Sequence, residues 1–293
     1  MGVRGQLERL GLAAASNERV ANAVRRVVPE YTRYRLGVAL RLDKPQPIDL
    51  SRLALIRERD AEWLADPDHL EHELLPELGL CADVPEAYPP ELRWAVGHGL
   101  KHWQAPNQFA RYLAHLSRYP IRSYLELGVR HGGTFAITVE YLNRFHPLAD
   151  ATAVDIDDVP SMTELMRARP EVRFLRTDTR APALARELAA HGPYDLVLVD
   201  ADHSYRAVRR DLDAVLGQAN IVALHDIVDA ACPGVRRVWR ELREEAAGER
   251  DFFEFTEQYD YTLRRTGQPG LGLGIAVRRD FAPSAAVASS AAG

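Results

Sequence analysis

The sequence predicts an α/β protein, a doubly wound, mostly parallel seven-stranded sheet with an N-terminal helical extension. Three observations carry this reading. From Ile121 onward, short apolar strands alternate with helical segments, the pattern of parallel strands joined by crossover helices. The first strand runs into a glycine turn, Gly128-Val-Arg-His-Gly-Gly133, and helical apolar spacing resumes at Thr134. The strands then finish on polar groups: Glu126 lies within the first, and Asp155, Asp178, Asp200 and His225-Asp226 end the next four.

Taken in order, residues 1–36 have helical spacing, clearest at Val20, Val24, Val27 and Val28, with Arg19, Arg25 and Arg26 on other faces. Lys44-Pro-Gln-Pro47 breaks that pattern as a linker. Residues 50–79 predict two helices, parted by Asp66-Pro67-Asp68 and ended by Gly79. Asp83–Pro90 is a proline-rich loop, and helical spacing returns over Glu91–Leu100 and Gln108–Ser117. Residues 1–118 are therefore expected as a helical extension, 119–282 as the α/β domain, and 283–293 as a disordered tail rich in Ala and Ser.

Within the α/β part, Tyr124, Leu125, Leu127 and Val129 mark the first strand and Ala151–Ile156 the second. Ser161 with Glu164 three residues on predicts a capping box, and Pro170 stops that helix. Val172–Leu175 is the third strand, followed by a helix over Ala181–Ala190. Tyr194–Asp200, the most hydrophobic strand, is expected at the centre of the sheet. A helix over Tyr205–Leu216, a fifth strand over Ile221–Asp226 and a helix over Gly234–Ala246 follow. Phe252–Phe255 and Leu271–Val277 close the sheet as an antiparallel pair.

Composition narrows the function. The net charge of −5 argues against general nucleic-acid binding. Eight Arg against three Glu in residues 1–41 make only that end basic. Lys44 and Lys101 are the only lysines, so hardly any lysine is available as a base. Cys81 and Cys232 lack metal-ligand spacing and read as free thiols in a reducing compartment. With no apolar leader core and no membrane-length run, a cytoplasmic protein with no membrane partner is expected.

In an open parallel sheet, ligands bind outside the carboxyl ends of the strands. One acid at a strand end is routine, but a set of them on one edge points to a site. The Gly-x-x-x-Gly-Gly turn departs from the Gly-x-Gly-x-x-Gly dinucleotide pattern, which weighs against a nicotinamide enzyme. Asp155, ending the second strand, is placed to accept bonds from both hydroxyls of a ribose, and Asp178 lies beside the base.

Glu126-Leu-Gly-Val-Arg-His-Gly-Gly133, Val154-Asp-Ile-Asp157, Val199-Asp-Ala-Asp-His-Ser-Tyr205 and Ala223-Leu-His-Asp-Ile227 resemble the class I S-adenosylmethionine-dependent methyltransferases. The nearest branch contains the macrolide-sugar O-methyltransferases and the cephalosporin hydroxylase family. The resemblance covers roughly residues 98–278, including Trp103-Gln-Ala-Pro106, and implies a Rossmann-like methyltransferase fold. It implies that Glu126 and Gly128, with Gly132 and Thr134 of the same turn, hold the methionine end of S-adenosylmethionine. Asp155 takes the ribose and Asp178 the adenine amine; Gln104 either lines the pocket or caps a helix.

The resemblance also implies a divalent cation, Mg²⁺ or Mn²⁺, held by Asp200, His225 and Asp226. His225 departs from the oxygen ligands Mg²⁺ prefers, so it either binds a softer ion or contacts substrate, and Asp226 could instead cap the next segment. His203 stands where relatives carry a lysine base; it is the expected general base, against a simple packing role at the next helix. The expected activity is O-methylation of a sugar, glycoside or similar small hydroxylated metabolite by a homo-oligomer. The alternatives are a nicotinamide-dependent oxidoreductase and a catalytically silent binding subunit on the same fold.

Overall fold

The computed structural model describes residues 44–82 and 88–284. The expected helix over 1–36, most of the 83–90 loop and nearly all of the tail lie outside the described residues. The described residues from Gln46 onward form one compact unit.

Seven strands form one sheet: β1 Ser123–Leu127, β2 Asp150–Asp155, β3 Val172–Arg176, β4 Tyr194–Val199, β5 Ala219–His225, β6 Arg250–Phe255 and β7 Leu273–Arg278. Their order is β3-β2-β1-β4-β5-β7-β6, with β4 at the centre as its hydrophobicity predicts. β1 to β5 pair in parallel, and β7 runs antiparallel to both β5 and β6. The chain therefore turns back between β1 and β4, which opens a crevice at their carboxyl ends.

Alternation along the strands divides the core. Tyr124, Ala151, Leu196, Leu198 and Ile221 face a cluster that includes α1 (Pro106–Leu116), α2 (Gly133–Leu142) and α3 (Met162–Ala168). Leu125, Val154, Val197, Val199 and Val222 face α4 (Pro182–His191), α5 (Tyr205–Val215) and α6 (Pro233–Glu245). Ile48, Leu53, Leu70 and Leu78, from the expected extension, belong to the first cluster and share its core.

Several local expectations change. The 50–79 stretch breaks at Glu58–Asp60 as well as at Asp66, and Pro67–Leu78 runs through a π-helical turn, Leu70–Leu74. Glu91–Leu100 is not an α-helix: a 3-10 helix over Pro90–Ala95 gives way to turns, because Gly97 and Gly99 adopt positive φ. The capping box at Ser161 does not form. The Ser161 hydroxyl instead accepts from the Ile48 amide at 2.9 Å, so tertiary packing outbids the local cap. A helix absent from the sequence reading, α7 (Asp260–Thr266), lies in the β6–β7 connection. Arg250 anchors the edge strand β6, donating to the carbonyls of Leu216, Ala219, Asn220 and Ala276.

Candidate active site

The glycine turn after β1 sits where backbones crowd. Gly128 has φ +90°, and a Cβ there would lie 2.4 Å from the Asp200 carbonyl. Gly133 is closed in the same way by segment 100–102, with a Cβ 1.9 Å from the Leu100 carbonyl. These two glycines are thus required by the protein's own backbone. Gly132, at φ +88°, is the left-handed residue that starts α2, and Thr134 is buried in its first turn. Arg130 stacks on Trp103 with 4.6 Å from its guanidinium to the ring centroid, and His131 accepts from the Gln46 amide at 3.0 Å.

Asp155 holds this turn from β2. One oxygen accepts from the amides of Val129 at 3.0 Å and Arg130 at 2.9 Å, and the other closes its own turn onto Asp157. Asp178 lies further out, in a bidentate pair with Arg180 that pulls its carboxyl down to about 2. Ile156, beside Asp155, is an exposed large apolar residue that the sequence reading did not single out. Gln104 is buried, and its amide oxygen has no partner.

Glu126 is buried on the α1–α2 face of β1, where the Tyr124 hydroxyl donates to it from two residues away. Burial pushes its carboxyl well above the ordinary carboxylate range, although the Tyr124 bond opposes this. It is a buried acceptor with too little positive charge around it.

The ends of β4 and β5 bring four expected residues together. His225 Nδ1 stands 3.3 Å from Asp200 Oδ1 and 3.4 Å from Asp226 Oδ1. His203 bridges the same two acids, with Nε2 3.2 Å from Asp200 Oδ1 and Nδ1 3.2 Å from Asp226 Oδ2. Potential ligand atoms of Asp200, His225 and Asp226 all lie within 4.8 Å of one another. Asp226 takes φ +62°, a left-handed conformation that Asp tolerates better than most residues. Its Oδ1 and the Nε2 of His225 are buried without a hydrogen-bond partner.

Charge follows this geometry. Burial opposes the charge on His225, yet Asp200 and Asp226 lift it to about 9. Burial likewise opposes the charge on His203, but Asp226 and then Asp200 hold it well above the usual imidazole range. Burial works against the Asp200 carboxylate as well; His225 and His203 nevertheless lower its pKa.

Cys232 belongs to this cluster too. Its Sγ is 3.3 Å from both His203 Nδ1 and Asp226 Oδ2, and burial pushes its thiol up to about 11. Cys232 lies 29 residues from His203 in the chain, so no spacing rule could pair them. His102 is fully buried, with Nε2 facing the Leu75 carbonyl at 3.1 Å, and burial pushes it down to about 4.

Residues 125–227 match the family Methyltransf_24, described as a methyltransferase domain. No curated protein sequence matches the chain. Among solved structures, the chain is similar to MycE methyltransferase from the mycinamycin biosynthetic pathway, in complex with Mg and SAH. That likeness has 20% identity and a TM-score of 0.41, and covers 62% of this chain and 52% of MycE. It is similar to cofactor-bound Rv0187 from MTB at 20% identity and TM-score 0.41, covering 59% and 80% of the two chains. For an O-methyltransferase family protein from Burkholderia thailandensis the values are 15%, 0.39, 57% and 55%. The chain thus spans about half the length of MycE. The domain match bears out the expected methyltransferase resemblance over residues 125–227.

Proposed function

We propose that the chain transfers a methyl group from S-adenosylmethionine to a hydroxyl oxygen of a small polar acceptor, a sugar or glycoside, with a divalent cation bound. The observation that carries this reading is the convergence of Asp200, His203, His225 and Asp226 at the β4 and β5 ends. β4 pairs directly with β1, which carries Glu126 and leads into the glycine turn.

The residues suit both groups. Glu126, buried and short of positive charge, is an acceptor for the cofactor's ammonium, and the unpartnered Gln104 oxygen is a second. Gly128, Gly132 and Thr134 shape the turn beside it; Asp155, whose Oδ2 is taken up by the Val129 and Arg130 amides, would reach the ribose through Oδ1, and Asp178 would reach the adenine edge on opening its pair with Arg180. Ile156 offers the base an apolar wall. Asp200, Asp226 and His225 form an acid–acid–imidazole set whose imidazole suits Mn²⁺ better than Mg²⁺, which the two acids would hold alone. When bound, S-adenosylmethionine supplies the methyl group and the cation lowers the pKa of the acceptor hydroxyl.

The chain's own part is positioning and proton transfer. Asp226 accepts from Nδ1 of His203 and turns Nε2 toward Asp200. Nε2 gives its own proton to solvent and then takes the acceptor's proton as the oxygen attacks; a cation held by Asp200 would favour the neutral ring by drawing off the carboxylate charge that keeps Nε2 protonated. A hydroxyl held in line with the methyl group needs little further chemistry. Residues 100–102, from the expected extension over 1–118, pack against the glycine turn at Gly133.

Calorimetry with S-adenosylmethionine is the first test, and the absence of binding would sink the reading. Chelator-treated protein should lose methyl transfer to a panel of sugars and glycosides and regain it with Mg²⁺ or Mn²⁺. Full activity without added cation would remove the metal from the proposal.

A further inference from the structure

We propose that Cys232, His203 and Asp226 form a second metal site, for a soft divalent cation such as Zn²⁺, sharing Asp226 with the Asp200–His225–Asp226 set. The three donor atoms form a nearly equilateral triangle. His203 Nδ1 to Asp226 Oδ2 is 3.2 Å, and Cys232 Sγ is 3.3 Å from each. Tetrahedral zinc, with Zn–S about 2.3 Å and Zn–N or Zn–O about 2.0–2.1 Å, places its ligand atoms at roughly such separations.

The loops hold the donors together. Gly234, in the first turn of α6, packs so tightly that a Cβ there would lie 2.4 Å from the His203 carbonyl. This presses the start of α6, with Cys232 just before it, onto the loop that carries His203. The Cys232 amide donates to the Asp229 carbonyl at 3.0 Å, and Asp229 donates to the Asp226 carbonyl at 3.3 Å, which fixes the turn between two of the ligands. Asp226 also offers a second, unpartnered oxygen on the side of His225. Its two oxygens therefore face two different donor sets.

Sulfur decides which cation each set prefers. The Asp200–His225–Asp226 set is oxygen-rich, whereas thiolate with imidazole favours zinc over magnesium. Binding breaks the Sγ–H bond of Cys232 and removes the proton on Nδ1 of His203. Both protons leave to solvent, and metal–sulfur and metal–nitrogen bonds replace them. His203 and Asp200 are each about a fifth exposed, at 18% and 20%, which gives a cation access from the site. One consequence rests on the methyl-transfer reading: Zn²⁺ at this position takes His203 and an oxygen of Asp226, and inhibits an enzyme supplied with Mg²⁺.

The test uses Co²⁺ as a spectroscopic stand-in on the full chain. Wild type should show a thiolate-to-cobalt charge-transfer band at one equivalent, bleached by Zn²⁺. The chain has only two cysteines, so the Cys81→Ser variant should keep the band and Cys232→Ser should lose it. Affinity in Cys232→Ser should fall on the order of 100-fold or more. No band in wild type, or a band that persists in Cys232→Ser, overturns the proposal. Should Cys232→Ser fail to fold, loss of the band in Cys81→Ser overturns it equally. Cobalt bound through Cys232 in a chain that binds no S-adenosylmethionine supports the site while the methyl-transfer reading falls.

Discussion

His203 is gripped at both ring nitrogens, by Asp200 on one side and Asp226 on the other, and the two acids have opposite consequences for catalysis. Asp226 orients the ring, whereas Asp200 keeps a proton on the nitrogen that must accept one. Replacing His203 with Ala should lower turnover by about 10²–10⁴-fold and leave cofactor affinity nearly unchanged in calorimetry. Equal loss of both would assign His203 a structural role. Glu126 gives the converse case. Glu126→Gln keeps a side-chain oxygen for Tyr124 but removes the ionisable acid that burial disfavours. Cofactor affinity should weaken by roughly 10- to 100-fold, as for a lost charge-assisted bond of about 1.5–3 kcal/mol, while the melting temperature holds or rises. A fall in melting temperature with unchanged affinity would show that Glu126 serves the fold and not the ligand.

Among the elements, the β1–α2 turn and the β6–β7 connection do the positioning. Gly133→Ala would drive a methyl group into the Leu100 carbonyl, a backbone atom that cannot swing aside. The cost should be at least about 2 kcal/mol in denaturant unfolding, and a silent Gly133→Ala would mean segment 100–102 yields freely. Gln108 ties the other element down. Its amide nitrogen donates to the Glu257 carbonyl at 2.9 Å, and its oxygen accepts from the Gly272 amide at 3.0 Å. Gln108→Ala should cost about 1–3 kcal/mol and raise hydrogen exchange over residues 256–272 ahead of the sheet. Uniform exchange throughout would refute this local role. Neither contact was legible in the sequence, since 164 residues separate Gln108 from Gly272.

The whole molecule carries an acid-sensitive core. Burial pushes both His102 and His115 down to about 4, so they stay neutral in the fold across a range where an unfolded chain would protonate them. Their contribution is present above about pH 6.5 and is lost as pH falls toward 4. For His102 the drop from 6.5 to about 4 corresponds to about 3 kcal/mol. His225, lifted to about 9, has the opposite sign, stabilising below about pH 6.5 and losing that stabilisation as pH rises toward 9. Unfolding free energy measured from pH 7 to 4.5 should therefore fall less steeply in His102→Gln than in wild type. Parallel slopes would mean that His102 takes up its proton in the folded state.

Sequence alone determined the sheet. A period of two along each strand, helical spacing between strands and polar residues at the strand ends are local patterns, and five parallel strands ending on one edge must bring Glu126, Asp155, Asp200, His225 and Asp226 to that edge. The closing antiparallel pair and the central place of β4 follow from the same reasoning. What only the tertiary structure decided depends on contacts between distant segments. Ser161 left its capping box for Ile48, and Asp155 spent its oxygens on the glycine turn. Cys232, which spacing rules dismiss, came to rest on His203 and Asp226 because Gly234 lets two loops touch. Side-chain period sets which edge a residue reaches. Which partner meets it there depends on how the loops pack, and no local pattern encodes that.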